Sequence, residues 1–241
     1  MNFVSKPDGS GKITSKFEIM PIFFQQDIDP DTKVGIWKIE EEEDFFLKKV
    51  MPQRNVTHRH KKLQHLAGRY LLQYLFPDFP VRLIQIADTR KPYLEDEAYH
   101  FSISHCGDYA AVIASRTNRV GVDTELITDR VVRIRHKFTS ETEYMLWILE
   151  LAEEYRQGQR EHKEWALDEK GLTLLWSIKE AVFKWYGMGG VDFRKHIEVK
   201  KIIPIDPDQL ESIVVFKKKE DLFLDLHSLF FDGLCLSYVV T

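Results

Sequence analysis

Phe101-Ser102-Ile103-Ser104-His105-Cys106-Gly107-Asp108-Tyr109-Ala110-Ala111-Val112-Ile113-Ala114-Ser115-Arg116-Thr117-Asn118-Arg119-Val120-Gly121-Val122-Asp123-Thr124-Glu125-Leu126 is the stretch on which the fold turns. Residues 101–106, 109–115 and 120–126 are apolar-rich runs parted by the turn formers Gly107-Asp108 and Thr117-Asn118, which predicts strands joined as antiparallel neighbours. Val81 to Ala87 reads as one more strand. Upstream, Leu63, Leu66, Ala67, Tyr70, Leu71, Tyr74 and Leu75 recur at helical spacing and predict an amphipathic helix over 58–76, ended by Pro77.

Helical signals return after the strands. Ser140-Glu141-Thr142-Glu143 has the form of a capping box, in which the serine accepts from the N3 amide while Glu143 reaches back, and it predicts a helix from about 141 to 157. Residues 158–171 are polar and read as a surface connection before a helix over 172–186 that Gly187 stops. His196 to Ile203, Ser212 to Lys217, Leu222 to Phe231 and Leu234 to Val240 read as strands, the last two joined at Asp232-Gly233. The turn-rich opening, Ser5 to Gly11, carries no assignment, and order is expected from about Ile19 to Phe24. Helix, strands, two helices and strands again make an α+β protein, with room for two similar halves but no convincing internal repeat.

The chain has 241 residues, 44% of them hydrophobic, and a net charge of −4 with histidine neutral. That composition suits a globular protein and argues against nucleic-acid binding by overall charge. Glu40 to Asp44 is an acidic block, and His58–Lys62, Arg130–Lys137, Arg194–Lys201 and Lys217–Lys219 are basic; such runs usually mark solvated faces. Cys106 and Cys235 form no CxxC, so neither a disulfide framework nor a structural zinc site is indicated, and a reducing cytoplasm fits best. No stretch approaches the roughly 20 apolar residues that span a bilayer, so neither export nor a membrane is expected.

Two segments carry chemistry. In Gly121-Val122-Asp123-Thr124-Glu125, strand alternation points Asp123 and Glu125 to one face, about 7 Å apart at Cα. Two carboxylates so placed repel unless screened, and a hard cation such as Mg²⁺ takes such oxygens together with substrate phosphates. An isolated D-x-E is more often a solvated strand face. In Trp176-Ser177-Ile178-Lys179-Glu180-Ala181-Val182-Phe183-Lys184, Ile178, Ala181, Val182 and Trp185 form the apolar stripe and leave Ser177, Glu180 and Lys184 on another face. Helix geometry alone allows a plain surface ion pair between Glu180 and Lys184, worth about 0.3–0.5 kcal/mol. Ser104 and His105 close a strand at a turn, Arg90-Lys91-Pro92-Tyr93 lies upstream, and no G-x-S-x-G elbow makes a serine the nucleophile.

Taken in order, Lys91-Pro92, Phe101 to His105, Gly121 to Glu125, Phe138 to Glu143 and Trp176 to Lys184 resemble the 4′-phosphopantetheinyl transferase superfamily, in its larger, monomeric branch that activates peptide and polyketide synthases. The resemblance implies two pseudo-symmetric α+β halves, 1–119 making nucleotide-side contacts and 120–241 holding the metal-binding acids and the catalytic helix. Coenzyme A would be the co-substrate, bound between the halves. Its phosphopantetheine arm would pass to a serine of an apo acyl or peptidyl carrier protein, releasing adenosine 3′,5′-bisphosphate. On this likeness Asp123, Glu125 and Glu180 would hold Mg²⁺, and Lys184 would neutralise phosphate charge. Glu180 would also serve as base, directly or through water. Lys91, Pro92, Ser104, His105 and Lys179 would contact coenzyme A. Gln64 stands where some relatives carry an arginine for the 3′-phosphate, which shifts that contact to Arg59, Lys61, Lys62 or Arg69. Arg90 replaces a glycine frequent before Lys-Pro. The implied protein is a cytoplasmic monomer. Two other classes stay open: a non-catalytic homologue that binds coenzyme A or a carrier, and a Mg²⁺-dependent nucleotide hydrolase.

Overall fold

The computed structural model describes residues 22–51, 56–145 and 169–241. One antiparallel sheet has the order β1 (Ile22–Asp29), β2 (Thr32–Lys38), β6 (Tyr109–Ser115), β5 (His100–Cys106). A second has the order β7 (Val120–Leu126), β11 (Leu234–Val240), β10 (Leu222–Phe231), β9 (Gln209–Phe216), β8 (Ile197–Asp206). A two-stranded ribbon, β3 (Gln85–Ile86) with β4 (Pro92–Tyr93), completes the strands. The helices that lie wholly within the described residues include α1 (Glu43–Leu47), α2 (Arg59–Leu75), α3 (Arg130–Ile134), α4 (Glu169–Tyr186) and α5 (Phe193–His196). None of the described helices is long and apolar enough to cross a membrane.

Alternation along the strands builds the layers. On β11, Leu234, Leu236 and Tyr238 face the first sheet and pack with Val34, Ile36, Ala111, Ile113 and Val122. Cys235 and Val239 face the other way, onto Ile178, Ala181 and Val182 of α4. On β6, Ala111 and Ile113 look inward, while Ala110, Val112 and Ala114 meet Leu66, Ala67 and Leu71 of α2. Two sheets therefore meet face to face, each covered on its outer side by one long helix, as an α+β fold requires of sheets with two apolar faces.

Several sequence expectations are corrected. Val81–Ala87 is a strand only at β3: Val81 and Ile84 are buried while Leu83 and Ile86 are exposed, a period of three that gives a 3₁₀ turn, Val81–Leu83, ahead of the short strand. Gly107-Asp108 does join hydrogen-bonded neighbours, β5 and β6, but Thr117-Asn118 does not. There the chain leaves one sheet for the other, and Ser115 Oγ accepts from the amides of Thr117 and Asn118 at 3.2 and 2.9 Å. The β1–β2 hairpin went unread, although Asp29 Oδ1 accepts from Asp31 N at 2.7 Å in a tight Asx turn. The acidic block is not merely solvated. Glu42 and Glu43 pair with Arg59 and Lys62, each at 2.5 Å, which offsets the adverse basic charge at the start of α2.

Residues 141–145 are helical, as the capping box predicts, and Ser140 Oγ accepts from Glu143 N at 3.0 Å. The rest of that helix, most of the 158–171 connection and the Ser5–Gly11 opening lie outside the described residues. β7 passes so close beneath α4 that a Cβ on Gly121 would stand 2.3 Å from Ala181 O and 2.7 Å from Trp185 Cβ. Gly121→Ala is expected to push helix and strand apart and cost about 2 kcal/mol or more of stability, read as a lowered urea midpoint.

Candidate active site

The edges of the two sheets meet between β5 and β7. Ser102 Oγ accepts from Val122 N, and Ser104 Oγ from Thr124 N, both at 3.2 Å. Two backbone amides facing away from the β11 ladder thus find side-chain acceptors rather than remaining buried and unpaired. Gly121, Asp123 and Glu125 then face α4, as alternation predicts, while Val122 is buried on the opposite side.

Asp123 is 2% exposed. Its Oδ1 accepts from Ser104 Oγ at 2.9 Å and from Lys184 Nζ at 2.5 Å, and Ser104 Oγ also lies 2.8 Å from that ammonium. Asp123 Oδ2 is buried and has no hydrogen-bond partner. Ser177 Oγ donates to Asp123 O at 3.5 Å, a further tie between helix and strand. Glu125 Oε1 accepts from Trp176 Nε1 at 2.9 Å.

Electrostatics join the remaining acid to this group. Burial, then the charge of Asp123, raises Glu180 to about 7, with Lys184 opposing and Glu125 adding. Glu125 is likewise raised by burial and by Asp123. For Lys184 burial disfavours the charge, but Asp123 and Glu180 outweigh it and hold the ammonium above its ordinary value. Lys184 is thus not simply the exposed partner of Glu180 that helix spacing allows; it sits at the seam against Asp123. The donor set consists of hard oxygens in excess of local positive charge, with one buried oxygen unused, which suits Mg²⁺. Among the described residues, however, no three His, Cys, Asp or Glu side chains stand in ligating geometry.

Lys179 behaves differently from its neighbours. It is fully buried, and its ammonium donates to Glu143 Oε2 at 2.7 Å and to the carbonyls of Phe138, Ile197 and Phe193 at 2.8, 2.8 and 3.1 Å. Glu143 also accepts from Thr139 Oγ1 at 2.8 Å and, through Oε1, from Val199 N at 3.2 Å. That explains why Glu143 does not reach back to complete the capping box. All these partners are internal, on the far side of α4 from Asp123.

Pro92 opens β4 and Lys91 immediately precedes it, beside the C-terminus of α4. Lys91 Nζ donates to Trp185 O at 3.3 Å, Arg119 Nε to the same carbonyl at 2.9 Å, and Thr89 Oγ1 to Gly187 O at 2.9 Å. The cations sit where the helix dipole favours them. Burial, then Arg119, lowers Lys91 to about 8. Lys91, Pro92, Arg119, Tyr186 and Met188 line a cavity of about 380 Å³. The preceding Arg90 has φ +67°, the left-handed conformation that glycine adopts most readily.

His105 is exposed and, next to Ser104 on β5, points to the opposite face. Gln64 is buried and donates to Gly107 O at 2.8 Å, so it serves the β5–β6 turn. Of its suggested substitutes, Arg59 and Lys62 pair with the acidic block, and Arg69 is buried within 3.0 Å of His65 Nδ1. Sequence reasoning passed over Ser102, Trp176 and Arg119. Ser102 shares the face of Ser104 by simple alternation, and that signal was available.

The sequence profile of the 4′-phosphopantetheinyl transferase superfamily matches residues 119–239, half of the chain and the whole span from Arg119 through α4 to β11. The chain belongs to the 4′-phosphopantetheinyl transferase superfamily. It is similar to the 4′-phosphopantetheinyl transferase gsp of Aneurinibacillus migulanus, 26% identical over 156 residues, which cover 65% of this chain and 57% of that one. It is also similar to enterobactin synthase component D of Salmonella typhi, 35% identical over 127 residues, 52% of this chain and 48% of the relative. The protein of the same name from Salmonella austin is 32% identical over 126 residues, with the same coverage. The matches thus span about half the length of these relatives.

Removing one partner of a buried ion pair leaves the other charge stranded, so Lys179→Met is expected to cost about 3–5 kcal/mol of stability. Chemical denaturation checks this; a cost below about 1 kcal/mol would show that the ammonium is not enclosed as described.

Proposed function

We propose that this protein transfers 4′-phosphopantetheine from coenzyme A to a serine of an apo acyl or peptidyl carrier protein. The observation that carries the reading is the meeting, at one seam, of Asp123 with Ser104 and Lys184, within electrostatic reach of Glu125 and Glu180. Family membership supports it.

In this reading Asp123, Glu125 and Glu180 would hold Mg²⁺, and the buried Asp123 Oδ2, which has no hydrogen-bond partner, would be available to it. The ion, when bound, supplies positive charge to pyrophosphate oxygens. Lys184 neutralises the same oxygens, and Ser104 keeps Asp123 oriented. Glu180 serves as the base for the carrier serine, directly or through water. The serine oxygen then forms its bond to the pantetheine-side phosphorus while the bond to the bridging oxygen breaks, and adenosine 3′,5′-bisphosphate departs. No nucleophile of the protein's own is needed, because positioning and charge stabilisation dominate phosphoryl transfer. The stretch 1–119 supplies the nucleotide side through Lys91 and Pro92, which line the cavity beside α4, and 120–241 supplies the acids and α4. One chain provides every proposed group, which suits a monomer, and the reaction suits the cytoplasm.

Incubation with an apo carrier, coenzyme A and Mg²⁺ is expected to raise the carrier's mass by one phosphopantetheine. Asp123→Ala and Glu180→Gln should each slow transfer at least about tenfold, a loss of about 1.4 kcal/mol or more of transition-state stabilisation. No mass shift across peptide, polyketide and fatty-acid carriers, with coenzyme A still bound tightly, would favour the non-catalytic reading. Release of adenosine bisphosphate without any carrier would favour the hydrolase.

α3 and the residues after it flank the acids, and Arg130 lies near enough to lower Glu125. Its exposed surface combines Arg130, Arg133 and Lys137 with Leu126 and Val132, a basic rim around apolar side chains that suits an acidic carrier helix. Arg133 and Arg135 are already paired, with Asp129 at 2.5 Å and Glu141 at 2.9 Å. Arg130→Glu and Lys137→Glu are therefore expected to raise KM for the carrier several-fold and leave KM for coenzyme A unchanged in steady-state assays.

A further inference from the structure

Asp123 meets Lys184 at the seam between the sheets, and Glu125 and Glu180 lie within electrostatic reach of that pair. Lys184 Nζ stands 2.5 Å from Asp123 Oδ1 and 2.8 Å from Ser104 Oγ, while Asp123 Oδ2 is buried without a partner. The same acids do not stand in ligating geometry. These observations have one physical cause if an ammonium already occupies the electrostatic centre of the cluster. The acids close around a monovalent charge on a tether and leave one carboxylate oxygen unused.

We propose that Lys184 is the resident counter-ion of this site and that the divalent cation and the coenzyme A pyrophosphate enter together by exchange with it. The inference rests on the metal and substrate assignments proposed above. On exchange the ammonium would leave Asp123 Oδ1 for a phosphate oxygen, which would free the Asp123 carboxylate for the incoming cation. Lys184 is built for this movement. Its side chain is 24% exposed, and its four-carbon stem is flexible where an arginine fork would not be. Asp123, by contrast, is held by Ser104 and by the backbone of β7, so the cation moves and the carboxylate stays.

The consequence is a coupling between ligands. With Lys184 in place, a divalent ion arriving alone must displace the ammonium from its hydrogen-bonded carboxylate, and like-charge repulsion weakens its binding. Pyrophosphate gives the displaced ammonium a new partner, so coenzyme A strengthens metal binding and, by reciprocity, the metal strengthens coenzyme A binding. Lys184 thereby offsets the charge of Asp123 in the free protein and disfavours loading of metal without substrate.

Isothermal titration of Mg²⁺ into the full chain, without and with saturating coenzyme A, tests this in the wild type, Lys184→Met and Lys184→Gln. The expected result is that both substitutions tighten Mg²⁺ binding to the coenzyme-A-free protein by about tenfold or more. The strengthening by coenzyme A seen in the wild type should shrink toward none. Thermal melting gives a second reading: added Mg²⁺ should raise Tm more in both variants than in the wild type. Equal or weaker Mg²⁺ binding in both folded variants overturns the proposal. If Lys184→Met folds only with Mg²⁺ present, that supports it, and failure to fold in either condition while Lys184→Gln binds Mg²⁺ no tighter counts against it. Should neither wild type nor variants bind Mg²⁺ even with coenzyme A, the metal assignment itself falls, an outcome distinct from binding that ignores Lys184.

Discussion

The edge of β7 has to be closed without a neighbouring strand in its own sheet, and the rest of the site depends on how that is done. A full backbone ladder between β5 and β7 would fuse the sheets and fill the seam. Instead Ser102 and Ser104 accept from alternate β7 amides, so the strands stay associated but separate. Because the acceptors are side chains on a period of two, they fix the register of β7 against β5. A one-residue slip would bury Asp123 and Glu125 in the apolar layer and present Val122 and Thr124 to α4. The hydroxyl that completes the Thr124 amide also holds the Asp123 carboxylate, so closing the edge and orienting the acid are one interaction.

α4 is fixed on three sides. Its apolar stripe packs on the second sheet, its far face is held through Lys179 and Glu143, and its C-terminal carbonyls are met by Lys91 and Arg119 from the other part of the chain. Burial pulls the Lys179 ammonium below its ordinary value while Glu143 pushes it back up. Such a pair adds little net stability but punishes any rotation of the helix, because turning α4 would strand both charges. Glu180 follows Lys179 in sequence, and Lys184 lies one turn further on. The lock on one face therefore sets where the opposite face points.

Much of this was legible in the sequence where a short-range pattern carries the information. Alternation placed Asp123 and Glu125 together, helical spacing separated the Ile178 stripe from Glu180 and Lys184, and glycine marked the end of α4. What stayed hidden depends on partners far away in the chain. Lys179 and Lys184 are both lysines of one helix segment, yet one is enclosed by carbonyls of residues 138, 193 and 197 and the other faces a strand sixty residues upstream. Nothing local distinguishes them. The 81–87 segment failed for the opposite reason: its apolar content was read, but its period of three was not.

Burying Asp123 with Lys184 in a partly dry seam within electrostatic reach of Glu125 and Glu180 is unfavourable by itself, and burial together with Asp123 raises both glutamates. Relaxation is available in principle, since a small rotation of α4 or a shift of β7 would spread the charges. The structure blocks both routes. The serine acceptors hold β7, Lys179 holds α4, and the close approach at Gly121 leaves no clearance for the two to slide. The strain therefore stays concentrated on the side chains that can respond to a ligand, the two glutamates and the tethered ammonium, and not on the backbone that positions them.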